Sequence, residues 1–347
     1  MKELVSPRAG EIVWRTYAER PITPNELRFR SLYSAAKHGT ETGLVRRTDP
    51  TLARHHDTSL HVFRERADTI DDVLPMGNMT VGIVSEVGAA VDAFAVGDLV
   101  YGWFGVRETH TTTPERVWKV PAGVEPSATL CLDPADYALC GVRDGGLRIG
   151  DDAAVFGLGA IGLMVVQLLR TAGAREIVAL DPLAERRDLA LVLGATHALD
   201  PTAEDAGLAI KERTHGGVDV AYEISGNHHA LQAAVRATRF GGTIVTIGLL
   251  LGEARGLDLG LEWHFNRQRI VASRSASEPN VDHPRWNRDR LRGTILNLLR
   301  DGRLSTRGIL GPFVPFDRAL EAYREVLDRP ASGIKLTITY DAAREVA

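Results

Sequence analysis

Cysteine is scarce in this 347-residue chain: Cys131 and Cys140 are the whole complement. Two such residues supply neither a disulfide framework nor a metal-ligand spacing. A reducing, cytoplasmic setting is the default expectation. Lysine is almost as rare, at Lys2, Lys37, Lys119, Lys211 and Lys335, although lysine and arginine together number 41. Where arginine is so readily used, Lys37 and Lys335 gain some interest. No apolar run approaches the roughly 18–20 residues that span a bilayer. The opening "MKELVSPRAGE" has no apolar core of the signal-peptide kind. Neither a membrane nor a nucleic acid is therefore an expected partner, the latter because the net charge is −4.

What is present reads as a globular chain of about twice the usual domain length. Residues 1–125 contain short strands with glycine and proline punctuation, such as "TVGIVSEVG" (80–88) and "AVGDLVYGW" (95–103). The polar stretch 45–75 reads as a long loop with a short helix, of the length at which loops are usually functional or disordered. From 126 the texture changes. "AAVFGLGAIGLMVVQLLRTAGAREIVALD" (153–181) is a buried strand, a glycine turn, an apolar helix and a second strand ending in an acid. Further strand–helix alternation follows through "DVAYEIS" (219–225), a helix over 228–238, "GGTIVTIGL" (241–249) and a last strand "RIVASRSAS" (269–277). That spacing predicts an α/β fold with a doubly wound parallel sheet. The histidine pair His228-His229 is expected to start one of its helices.

Gly157-Leu158-Gly159-Ala160-Ile161-Gly162 is G-x-G-x-x-G, and here it has its full context. A buried strand precedes it, a helix follows, and Asp181 ends the next strand. Gly157 permits the turn, Gly159 lets backbone approach a pyrophosphate at the helix end, and Gly162 lets helix pack on strand. Asp181 would accept from the adenosine ribose hydroxyls and repel a 2′-phosphate. NAD is the expected cofactor rather than NADP.

With these motifs in place the chain resembles the medium-chain dehydrogenase/reductase superfamily. The resemblance rests on the β-rich first segment, the central Rossmann unit and the returning C-terminal segment. It rests also on "VGIVSEVG", "FAVGDLV", "VWKVP" and "LGATHALD". It implies a GroES-like catalytic domain built from both chain ends (1–126 and 279–347) around a Rossmann NAD-binding domain (127–278), with the active site in the cleft between them. A homodimer or homotetramer is implied too, with the edge strand near "RIVASRSAS" paired to its two-fold mate.

The zinc-dependent members carry C-G-T-D and G-H-E. Here "His38-Gly39-Thr40-Glu41" and "Gly77-Asn78-Met79" fall on those positions. An amide and a thioether are poor zinc ligands, and one imidazole cannot hold the ion. No metal is expected, and the chain resembles a zinc-free G-T-E branch containing sugar and cyclitol dehydrogenases. Without zinc, a side chain must take the proton of the alcohol. His38 and Lys37 are the candidates, with opposite-facing side chains if the segment is extended. A solvated turn with Glu41 as counter-charge is the bland alternative. Thr40 matches a family position in a proton relay. Asp133 either binds a substrate hydroxyl or caps a helix ahead of Pro134, with Tyr137 one turn on. His110 either lines the cleft or is structural. Trp286, between arginines, either walls a polyol site or begins a solvated helix. The resemblance adds Lys335 at the pyrophosphate, Arg186 at the ribose, Ser225 near the cofactor, and the Ile247-Gly248-Leu249 backbone at the nicotinamide.

The expected function is NAD-dependent, metal-free oxidation of a secondary alcohol on a polyol-like substrate such as a cyclitol or sugar. A quinone or enone reductase, a hydroxyethyl-pigment dehydrogenase and a non-catalytic nucleotide-binding protein are the alternatives.

Overall fold

The computed structural model describes residues 1–66, 73–277 and 282–345. The chain divides into two compact units, 1–130 with 309–347, and 131–308. The helix Arg288–Arg300, assigned to the returning segment from sequence, therefore belongs with the second unit.

The first unit is built from both chain ends. Its main sheet centres on the strand Leu27–Ala35, which pairs antiparallel with Met79–Val87 and with the late strand Lys335–Thr339. The register sets Thr337 opposite Ala35 and Thr339 opposite Tyr33, so the last strand lies in the sheet begun by residue 27. Alternation explains the pairing. Leu27, Phe29, Val84, Val100 and Val117 fill one core. Leu4, Met76, Val106, Tyr323, Leu336 and Ile338 fill another. Each face of the sheet thus finds apolar cover.

Stretch 45–75 has the short helix of its sequence reading, a 3-10 turn at Pro50–Leu52, but the rest is not all loop. It carries a β-hairpin, Arg54–Asp57 against Val62–Glu65. Asp57 makes the turn, accepting from the Ser59 and Leu60 amides while Arg64 pairs with its other oxygen. A largely exposed hairpin lacks the apolar alternation that would have announced it. Part of this stretch, 67–72, lies outside the described residues.

The second unit holds a six-stranded parallel sheet in the order His197–Leu199, Glu176–Leu180, Asp152–Phe156, Val218–Glu223, Thr238–Thr246, Arg269–Ala272. Numbered along the chain this is 3-2-1-4-5-6, the doubly wound order whose switch point lies at the first strand. Helices Ala160–Ala172 and His228–Ala237 cover it, the latter capped by the Asn227 side chain on the His229 amide. Arg269–Ala272 is an edge strand. No helix among the described residues is long and apolar enough to cross a membrane.

Candidate active site

In the second unit the glycine turn sits at the carboxyl end of the first strand. Gly157 takes φ +97°, where a side chain would be strained and would strike Ser225. A Cβ on Gly162 would lie 1.9 Å from the Gly157 carbonyl oxygen, so helix and loop touch backbone to backbone. Gly159 has nothing within 4 Å of its Cβ position and forms the N-cap of Ala160–Ala172. The first amides of a helix have no partner within it, so Gly159, Ala160 and Ile161 present donors to open space. That is a cradle a dinucleotide pyrophosphate fits.

Asp181 is 5% exposed and ties this loop down. Its carboxylate accepts from the Leu158 amide at 2.9 Å and the Leu183 amide at 3.0 Å. Arg186 lies 3.6 Å from the same carboxylate. Sequence reasoning placed Asp181 and Arg186 separately at the ribose; the structure makes them one ion pair.

Glu223 was missed. It ends the strand beside the glycine turn, is fully buried, and accepts from the Gly226 amide and the Ser225 hydroxyl. Burial raises its pKa against those hydrogen bonds. Its backbone carbonyl takes the amides of both Ile247 and Gly248. The Ile247 and Gly248 amides are thereby engaged, and Leu249 is exposed.

On the helix Leu132–Gly145, Cys131 is the N-cap and Asp133 lies inside the first turn, which corrects its reading as a possible cap. Asp133 and Asp136 are both 6% exposed, and Tyr137 is half-buried one turn beyond Asp133. Trp286 is half-buried rather than open. Arg143 lies 3.6 Å and Arg290 4.4 Å from its ring centroid, so a stacking sugar would displace a guanidinium.

In the first unit, Lys37 and His38 lie at a helix start, so the condition for opposite-facing side chains, an extended segment, is not met. Lys37 is the N-cap of the helix His38–Val45. Glu41, one turn in, draws the chain into this start: its carboxylate accepts from the Lys37 amide and from the Gly77 amide, both at 2.5 Å. Glu41 is 7% exposed. Burial raises its pKa, opposed by those two amides and by the charges of Lys335 and Lys37. Lys335, 2% exposed, gives its ammonium to the Ala36 carbonyl at 3.0 Å. Sequence reasoning sent Lys335 to the pyrophosphate; here it stands over the Lys37 turn. The His38 Nε2 accepts the Leu336 amide at 3.1 Å, which fixes that nitrogen as unprotonated. Thr40 is exposed. His110 is 7% exposed, stacks on Phe29 and lies tilted against Phe104, each ring centroid 4.9 Å away. Burial, with Arg107 nearby, pushes its pKa down to about 3. It is a neutral core ring.

The residues do not fit a family zinc. His38 has its Nε2 engaged, Asn78 offers an amide and Met79 is buried. Among the described residues no three His, Cys, Asp or Glu side chains converge.

Together these features define a dinucleotide-binding oxidoreductase. The chain matches the zinc-binding dehydrogenase family over residues 160–285. It is 38% identical to D-guloside 3-dehydrogenase of Escherichia coli (strain K12), over 98% of this chain and all of that one. It is 30% identical to (R,R)-butanediol dehydrogenase of Bacillus subtilis (strain 168), over 76% and 80%. The solved 2R,3R-butanediol dehydrogenase from Bacillus subtilis superposes with TM-score 0.78 at 23% identity, covering 97% of this chain and 99% of that one. The chain belongs to the zinc-type medium-chain dehydrogenase superfamily and is an oxidoreductase acting on CH–OH groups.

Proposed function

We propose that this protein oxidises a secondary hydroxyl of a sugar, glycoside or cyclitol with NAD and without a catalytic metal. The observation that carries the metal-free half is the Lys37 turn: in the position of the family's metal ligands stand an engaged imidazole, an amide and a thioether, beside two lysines around a buried carboxyl. The near full-length likeness to a D-guloside 3-dehydrogenase supports the substrate class. Bound at the Gly157–Gly162 turn, the dinucleotide supplies a two-electron acceptor for the carbon-bound hydride. Lys37 is the group that handles the hydroxyl proton, as its acceptor or by stabilising the alkoxide. Glu41 holds the Lys37 backbone, and Lys335 balances its charge. A screen of glycosides and cyclitols with NAD, following reduced cofactor, tests the reading; no turnover across the panel overturns it.

The metal half is checked independently. Elemental analysis of purified protein should find far less than one zinc per chain, and chelators should leave turnover intact. Stoichiometric zinc lost together with activity is the contrary result.

The cofactor half rests on Asp181. NAD should be preferred over NADP by at least about tenfold, or roughly 1.4 kcal/mol. Asp181→Ser should narrow that ratio. It should also weaken NADH binding, because the Leu158 amide loses its acceptor. Equal use of both cofactors by the wild type would instead make Arg186 a partner of the 2′-phosphate. The edge strand Arg269–Ala272 supports a dimer. Light scattering at micromolar concentration should give at least twice the chain mass, and a monomer contradicts it.

A further inference from the structure

Asp136 has no part in the account so far, yet its placement is unusual. Its Oδ1 is sealed from solvent and makes no hydrogen bond among the described residues. Buried carboxyl oxygens are normally satisfied, and an exception in a native fold points to an absent partner. A water or a ligand hydroxyl can be that partner.

The helix that carries it shows where such a ligand would sit. A Cβ on Gly145 would lie 2.7 Å from the Tyr222 hydroxyl and 3.0 Å from Val220, both within the strand Val218–Glu223. A Cβ on Gly141 would lie 2.2 Å from Ile247 Cδ1, just past the end of Thr238–Thr246. Running from Gly145 back to Gly141 thus moves toward the carboxyl edge of the parallel sheet. Asp136 is five residues further, about 7.5 Å along the axis. The first turns of this helix project beyond the edge where ligands of doubly wound sheets bind.

Two further groups shape the site. Asp133 is buried on the same helix, three residues before Asp136 and therefore on the same face. The charges of Arg292 and Arg288, from the helix Arg288–Arg300, also act on Asp136.

We propose that Asp136 is a specificity-determining residue that touches substrate, its carboxyl donating a hydrogen bond to a hydroxyl next to the carbon being oxidised. This rests on the polyol reading above. Burial raises the Asp136 pKa to about 7, with Asp133 adding to the rise and Arg292 and Arg288 opposing it. The group is therefore an acid able to donate at and below neutrality. It becomes a poor partner for a hydroxyl's oxygen as pH climbs past 7. Asp133 lies on the same helix face and adds a second carboxyl. Two carboxyls on one face suit neighbouring hydroxyls, which a simple alcohol lacks.

The test uses the whole enzyme with NAD, methyl D-guloside, and its 2-deoxy and 4-deoxy analogues. Asp136→Ala should raise KM for the glycoside by roughly 10–100-fold, the effect of leaving a buried polar contact unmade. NADH affinity by fluorescence titration should not move. Removing one of the two hydroxyls should cost the wild type a similar factor and cost Asp136→Ala nothing more. In the wild type KM should rise above about pH 7, whereas Asp136→Asn, still a donor, should keep a low KM that is flat across that range. Infrared difference spectra should show a carboxyl band that titrates near pH 7, shifts when glycoside joins the NADH complex, and is missing from Asp136→Asn. An unchanged KM in Asp136→Ala, or costs that multiply with both deoxy analogues, overturns the inference alone. A loss confined to NADH affinity overturns it as well. Absence of turnover by the wild type on every sugar and cyclitol overturns the polyol reading and this inference with it.

Discussion

Lys37→Ala should lower kcat by roughly 10²–10⁴-fold, the usual effect of losing a general base or an alkoxide-stabilising group. NADH affinity and thermal stability should be preserved. The backbone contacts of the turn do not depend on that side chain: the Lys37 amide meets Glu41 and its carbonyl accepts from Thr40 and Glu41. All of that survives truncation of the side chain. His38→Ala is the necessary comparison. Its Nε2 accepts the Leu336 amide, so the substitution strands that donor and should reduce stability by about 1 kcal/mol. Its kcat should fall much less than that of Lys37→Ala. The measurement is steady-state kcat for both variants, alongside melting and NADH titration. If both keep near wild-type kcat, the Lys37 turn carries no chemistry, and Asp133 becomes the next proton acceptor to test.

The second large effect is expected at Gly162. Its α-carbon faces the Gly157 carbonyl so closely that a methyl group would sit 1.9 Å from that oxygen. The obstacle is backbone, not a side chain that can turn aside. The loop from Gly157 to Leu158 is itself held by the Asp181 carboxylate and by pairing of the Gly157 amide with the Leu180 carbonyl. Gly162→Ala must therefore push the helix Ala160–Ala172 away from its strand or break the turn. Overpacking of this kind costs about 1–3 kcal/mol and occasionally more. NADH affinity should fall at least about tenfold, because the helix amides move relative to the loop. Thermal melting and NADH titration measure the two losses. Gly159→Ala, whose Cβ would meet nothing within 4 Å, should melt like the wild type yet bind NADH more weakly. Wild-type behaviour of Gly162→Ala would contradict the backbone contact.

Much of this was legible in the residues. The glycine turn announces itself because a strand, a helix and an acid at the next strand end each leave a periodic trace. The parallel sheet was readable for the same reason: its strands contain continuous apolar runs such as "AAVF" and "IVAL". The poor metal-donor set at 38, 78 and 79 needed only residue chemistry.

Other features left no such trace. Glu41 read as a surface counter-charge, yet it is buried, because Gly77 arrives from 36 residues away to bond it. The hairpin over 54–65 is largely exposed, with Val62 and Phe63 at successive positions, so no apolar alternation could reveal it. His110 could be read either as a cleft histidine or as structural; only the fold sets it, 7% exposed, against Phe29 and Phe104. Asp136 was one acid in "DPADY" until the charges of Arg292 and Arg288 came to act on it from a helix 150 residues on.

The sequence by itself determined the dinucleotide turn, the sheet class and the identities of the proton-handling candidates, because local spacing and side-chain chemistry are properties of the chain. Only the tertiary structure decided which of those groups are buried, which nitrogen of His38 is engaged, and which carboxyls have their pKa raised by burial. Burial, desolvation and long-range pairing set protonation, and they exist only once distant segments meet.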